Sequence, residues 1–170
     1  MTNGLTYIRK TTCPTATRQL AETLAPHLHA GDVIVLIGDL GAGKTLFVQG
    51  VAEALGIPDQ VTSPTFNILL TYEGGRLPLY HFDLYRLESI DELDDIGFYE
   101  MLDGDGVSFI EWGDKFLEAL PCDYLEICLR VDPDADDMRH VRAHAVGSES
   151  RELLFMWAHD SKSRLMKSTR

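Results

Sequence analysis

Residues 37–47 read IGDLGAGKTLF, and this stretch constrains the fold of the chain more than any other. Just before it stands the run Val33-Ile34-Val35-Leu36-Ile37, short, continuous and β-branched, as in a strand buried on both faces of a parallel sheet. After it, Leu46, Phe47, Val48, Val51, Ala52 and Leu55 recur at helical spacing and stop at Gly56, with Pro58 beyond. A strand, a glycine-rich turn and a helix are the context in which G-x-x-x-x-G-K-[ST] has physical meaning, and Gly38, Gly43, Lys44 and Thr45 satisfy it. Glycines let backbone N–H groups close around phosphate oxygens with no Cβ in the way, and the helix start adds unpaired donors and partial positive charge. Lys44 is then expected to reach the β- and γ-phosphates, and the Thr45 hydroxyl to ligate Mg²⁺. A glycine turn would match by accident in about 0.5% of chains this long. The flanking strand and helix lower that further, and the stretch reads as a phosphate-binding loop.

The other elements extend this to an α/β fold, a P-loop NTPase-like single domain with a mixed, helix-flanked β-sheet. Leu5–Arg9 is expected to form a short strand. Pro14 opens a helix that carries Leu20, Leu24 and Leu28 on one face. Phe66–Tyr72 and Leu77–Phe82 flank EGGR and read as a β-hairpin. Ser89 and Glu92 form a capping box, Gly97–Leu102 continues as a second helical piece, and Val107–Ile110 is a strand. Asp123–Val131 and Met138–Val146 pair around DPDADD, a hairpin turn whose sixth and twelfth positions, Asp137 and Ala143, do not suit a calcium loop. Glu152–Trp157 closes the fold as a helix. His140 and His144 share a strand face but lack a third ligand and define no metal site.

Hydrolysis needs more than a phosphate loop: an acid on the metal side and a positioned water. In SFIEWGD, Phe109-Ile110 lead up a strand to Glu111, whose carboxylate would face the nucleotide at the strand's C-terminal end. The alternative is a strand-end acid with Trp112 as an aromatic packing neighbour. In VTSPTFN, Thr62, Ser63 and Thr65 offer hydroxyls where a nucleotide switch contacts the γ-phosphate, or they belong to an ordinary polar loop. In YHFDLYR, Asp83 is open to three roles: a second Mg²⁺ contact, orientation of the attacking water, or a salt bridge to Arg86.

Taken together, GDLGAGKT, VTSPTF, YHFDLYRL, DDIGFYE and FIEWGD, in this order, strongly resemble the TsaE family over roughly residues 12–146. The resemblance implies a P-loop ATPase of the tRNA N6-threonylcarbamoyladenosine pathway, weakly active alone and working with the TsaB–TsaD pair. It implies that Leu40, Gly41, Ala42, Gly43, Lys44 and Thr45 bind ATP phosphates, and that Thr45 and Glu111 hold Mg²⁺. Asp83 would be required for hydrolysis, Thr65 would lie in the switch-like loop, Trp112 beside the nucleotide, and Cys13–Thr17 near the adenine.

Composition bounds the partners. The net charge of −12 argues against a protein that grips nucleic acid by itself. The last ten residues hold Lys162, Arg164, Lys167 and Arg170 and no acid, so the remainder stands at −16. That segment, 161–170, is expected to be a disordered basic tail after a domain spanning 1–160. The three cysteines lack C-x-x-C spacing, and neither a leader nor a membrane-length apolar run is present, so a cytoplasmic protein with reduced thiols is expected. Two other functions fit the loop: a small-molecule kinase, for which Arg76 and Arg86 are sparse phosphoryl clamps, and a nucleotide-gated binding module with incidental hydrolysis. A GTPase is disfavoured, because no N-K-x-D stretch reads guanine.

Overall fold

In β2 (Val33–Ile37), Ile34 and Leu36 turn to one side and Val33 and Val35 to the other, and each joins a separate apolar cluster. A strand buried on both sides belongs at the centre of a sheet covered by helices on both faces. The computed structural model, which describes residues 5–165 and side chains through Ser161, has that architecture. Seven strands run in the order β1-β7-β6-β2-β5-β4-β3. β2 lies between β5 (Val107–Glu111) and β6 (Tyr124–Asp132), parallel to both, and β5 is parallel to β4 (Leu79–Asp83). Antiparallel pairs complete the sheet: β3 (Leu69–Tyr72) on β4, β7 (Ala135–Val146) on β6, and β1 (Thr6–Thr11) on β7.

One face is covered by α1 (Pro14–Glu22), α2 (Lys44–Leu55) and α5 (Glu149–Leu165). α3 (Glu92–Asp95) and α4 (Phe98–Leu102) cover the other. Trp157 anchors α5: its ring is fully buried, lies 5.0 Å from that of Tyr7 and 6.1 Å from that of Phe47, and donates Nε1–H to Thr23 Oγ1 at 2.9 Å.

The reading of a mixed, helix-flanked sheet with its hairpins, and of a strand, glycine turn and helix over residues 33–55, holds with four shifts. The first helix stops at Glu22, and Leu24 and Leu28 reach the core from a 3-10 turn at Ala25–His27, where Pro26 withholds a backbone donor. Phe66 is outside its expected strand: Ile68 adopts φ 65° and breaks the extended backbone, so β3 begins at Leu69. Only half of the capping box forms, with Glu92 Oε1 accepting from the N–H groups of Glu88 and Ser89 at 2.8 Å each. The expected tail boundary at 160/161 falls inside α5, because Ser161 is fully buried and hydrogen-bonds Tyr7 Oη across the core. Residues 166–170 lie outside the described residues.

Candidate functional site

The site arises from strand register. Leu36, Glu111 and Asp83 are direct neighbours on β2, β5 and β4, so three parallel strands end level with one another. Residues of alternate parity point to opposite faces. Glu111 therefore follows Phe109 and Val107, and Asp83 follows His81 and Leu79, onto the face that α2 covers. The chain leaving β2 turns through the glycine loop and starts α2 directly above them.

Two glycines make that turn. Gly43 holds φ 104° as the residue preceding the helix, a left-handed conformation that a side chain resists. Gly38 is fixed by space: a Cβ there would lie 2.5 Å from the Leu129 carbonyl oxygen of β6. The loop thus passes against the backbone of the neighbouring strand before it rises to α2.

Thr45, in the first turn of α2, donates its hydroxyl to Glu111 Oε1 at 2.8 Å. The same oxygen accepts from His81 Nε2 at 2.9 Å, and His81 is fully buried. His81 Nδ1 has no hydrogen-bond partner. Asp83 is 3% and Glu111 4% exposed. Asp83 Oδ2 accepts from Thr65 Oγ1 at 2.5 Å and Oδ1 from the Tyr85 N–H at 3.0 Å. Both acids are therefore hydrogen-bonded, as burial demands.

Lys44 supplies nearby positive charge. Its Nζ donates to the carbonyls of Gly38 at 2.7 Å and Asp39 at 3.0 Å, and lies 4.5 Å from the Trp112 ring centre. Burial pushes the ammonium below the ordinary lysine range, while Glu111 and Asp83 oppose that shift. Trp112 adopts φ 61°, strained for an aromatic residue, and this places its ring over Lys44 and 5.1 Å from that of Tyr85.

A cavity of about 610 Å³ opens over these groups, and Leu40, Gly41, Gly43, Lys44, Thr45, Thr65, Asp83, Glu111 and Trp112 all line it. Ala42, also expected at the site, does not; its side chain is buried in the core. Cys13–Thr17 form the start of α1 and contribute nothing to the lining. The Asp83–Arg86 salt bridge does not form: the Arg86 guanidinium lies 4.6 Å from the Phe66 ring centre instead. Arg76 is also engaged elsewhere, donating to the carbonyls of Ala25 and Leu28 at 2.6 and 3.0 Å.

Sequence reasoning missed four members of the site: Leu46 and Tyr85, which line the cavity, and His81 and Arg139. His81 had a legible signal, since it stands two residues before Asp83 on a strand and so shares its face. Arg139 had none. It comes from β7 and lines the cavity from the far side of the loop.

A family model described as threonylcarbamoyl adenosine biosynthesis protein TsaE matches residues 11–141, a span that holds every residue lining the cavity. The chain belongs to the TsaE family. It is 45% identical over 139 residues to the tRNA threonylcarbamoyladenosine biosynthesis protein TsaE of Bacillus subtilis, covering 82% of this chain and 85% of that one. The protein of the same name from Treponema pallidum is 50% identical over 109 residues, covering 64% of this chain and 80% of its own length. The crystal structure of Bacillus subtilis YdiB superposes with a TM-score of 0.79 at 35% identity, covering 94% of this chain and 98% of that one. Family membership and the α/β fold thus rest on sequence and architecture independently.

The contact of Gly38 with β6 gives a direct test of the loop's seating. Gly38→Ala is expected to lower the unfolding free energy by about 1–3 kcal/mol, because a strand carbonyl cannot move aside for a methyl group. Urea denaturation of the variant measures this. Wild-type stability would mean that the loop does not lie against Leu129.

Proposed function

We propose that this protein binds ATP with Mg²⁺ at the start of α2 and hydrolyses it as a component of tRNA N6-threonylcarbamoyladenosine synthesis, together with the TsaB–TsaD pair. The observation that carries the reading is the Thr45–Glu111 hydrogen bond at the mouth of the glycine loop, beside Lys44. A helix-start hydroxyl and a strand-end carboxylate sharing one point in space are the protein's half of a magnesium site in a P-loop enzyme.

The donor set fits that ion. No group of three or more His, Cys, Asp or Glu side chains able to hold a metal occurs among the described residues. A dication here would take Thr45, Glu111 and oxygens of phosphate and water, the hard, partly hydrated coordination that magnesium prefers. When bound, it would neutralise charge on the β- and γ-phosphates.

The protein's own groups would do the rest. N–H groups of the loop and the Lys44 ammonium bind phosphate oxygens. Asp83, buried and held by Thr65, accepts a hydrogen bond from the attacking water and orients it. Thr65 links the 61–68 loop to that acid, so a change at the γ-phosphate reaches a segment that carries the exposed Phe66. Trp112 shields Lys44 on one side.

The Thr65–Asp83 link also favours a second reading, a nucleotide-gated binding module in which turnover is incidental. A kinase reading loses support, since Arg76 and Arg86 are both engaged away from the cavity. The free thiols of Cys13, Cys122 and Cys128, together with the absence of any membrane-length apolar helix among the described residues, agree with a proposed cytoplasmic location.

Calorimetric titration with Mg-ATP tests the phosphate site. Lys44→Ala is expected to weaken binding at least tenfold, since a charge-assisted contact is lost. Equal affinity in both proteins would end the phosphate-loop reading. A magnesium titration of turnover separates the acids. Glu111→Ala should raise the Mg²⁺ concentration for half-maximal rate, whereas Asp83→Ala should lower the rate with ATP affinity largely kept. Coincident magnesium curves for wild type and Glu111→Ala would remove Glu111 from the metal site.

Charge assigns the partners. At −12, and −16 without its last ten residues, the chain has little positive charge outside its basic C-terminal stretch for tRNA phosphates, so the tRNA would be held by the TsaB–TsaD pair and reached only through it. Pull-downs should show binding to that pair that changes between ATP and ADP, and gel shifts should show negligible tRNA binding by the chain alone at physiological salt. Tight binding of tRNA by the isolated protein would overturn this assignment.

A further inference from the structure

Ala42 stands between Gly41 at φ 79° and Gly43 at φ 104°. Glycines on either side let the intervening peptides flip at little steric cost, because both signs of φ are open to them. Yet a phosphate loop works only when its N–H groups, not its carbonyls, face the anion. Some contact must therefore hold the peptides in one orientation.

Arg139 makes that contact. Its Nε donates to the Ala42 carbonyl at 2.8 Å and its Nη2 to the Gly41 carbonyl at 3.3 Å. The guanidinium is itself fixed, since Nη1 donates to the carbonyls of Asp136 at 2.5 Å and Met138 at 2.9 Å. The β6–β7 hairpin that presents it is tied down in turn by the Asp132 carboxylate. That carboxylate accepts from Lys10 Nζ at 2.8 Å, His140 Nε2 at 2.7 Å and the Asp134 N–H at 3.0 Å. These contacts hold Asp132 well below the usual carboxylate range, the Lys10 hydrogen bond most of all.

We infer that Arg139 is a positioning residue of the phosphate loop, which commits the Gly41 and Ala42 carbonyls to its guanidinium so that the Gly43 N–H, at the opposite edge of the 42–43 peptide, serves the ligand. The inference rests on the nucleotide-binding reading above and adds to it a residue 96 positions from Gly43 in sequence. A peptide is planar and trans, so when the Ala42 carbonyl points to Arg139 the Gly43 N–H points the other way. The Ala42 N–H is already used within the loop, donating to the Asp39 carbonyl at 3.1 Å. Orienting the 42–43 peptide is thus the specific effect of Arg139. Four carbonyls on one planar fork are beyond the reach of a single ammonium, so lysine is not an equivalent.

Two measurements on the full chain test this, with Arg139→Gln and Arg139→Lys compared with wild type and Lys44→Ala. By calorimetry, both Arg139 variants are expected to bind Mg-ADP about tenfold more weakly, with unfolding midpoints within a degree or so of wild type. By ¹⁵N relaxation without nucleotide, the amides of Ala42 and Gly43 should become more mobile in both variants than in wild type. Arg139→Lys with wild-type affinity and rigid loop amides would overturn the inference. Weakened affinity with a rigid loop would also overturn it, by making Arg139 a direct phosphate contact. If wild type fails to bind Mg-ADP, the nucleotide reading falls, while the relaxation data still decide whether Arg139 holds the loop.

Discussion

The level ending of β2, β5 and β4 is the constraint on which the rest of this structure depends. Because Leu36, Glu111 and Asp83 lie in one row across parallel strands, two carboxylates and the entry to the glycine loop meet at one edge of the sheet. A slip of a single residue in either pairing would send its acid to the opposite face, under α3 and α4. Register is held by burial on both sides: Phe109 and Ile110 of β5, and Leu79 and Phe82 of β4, are fully buried. The apolar interior of the sheet thereby fixes the polar geometry at its end.

Placing two acids where each is under 5% exposed is unfavourable unless they are compensated. Every group in contact with them contributes to that compensation. Thr45 and His81 donate to Glu111, Thr65 and the Tyr85 N–H donate to Asp83, and Lys44 lies between the acids and the loop. The turn that carries Tyr85 is held separately by Lys115, whose Nζ donates to the carbonyls of Tyr85 at 2.6 Å and Leu87 at 2.7 Å. A site so arranged is rigid on its strand side. The loop residues of the lining include Thr65 and the 93% exposed Leu40, and Phe66, next to Thr65, is 81% exposed.

The antiparallel half of the sheet has a different part. β1, β7 and β6 extend the sheet beyond β2 and contribute no acid to the cavity, but they bring two backbone-directed contacts to the loop. The Leu129 carbonyl limits position 38 to glycine, and Arg139 holds the carbonyls of Gly41 and Ala42. α5 closes over the same half through Trp157 and Ser161, so a segment remote from the chemistry steadies the strands that support it.

Much of this was legible in the sequence because it is local. A strand, a glycine turn and a helix in succession dictate the phosphate loop, and Glu111 and Asp83 are marked by their place at the ends of apolar strands. His81 could have been read from the same alternation, two residues before Asp83. Other features depend on groups distant in the chain. Neighbouring of Asp83 and Glu111 requires β4 beside β5 in a set register, and no short pattern encodes which strands adjoin. The seating of α5 at Ser161 depends on Tyr7 across the core, so composition alone began a tail at a residue that lies inside a helix. Arg139 is the extreme case: an arginine in an alternating strand has no local mark of function, and only the sheet order β7-β6-β2 carries its guanidinium to the phosphate loop. Sequence by itself determined the strand, glycine turn and helix around residues 33–55, because that unit resides in a few contiguous backbone and side-chain groups. Tertiary structure decided which distant groups surround and steady it, because strand order and register are set by burial summed over the whole sheet.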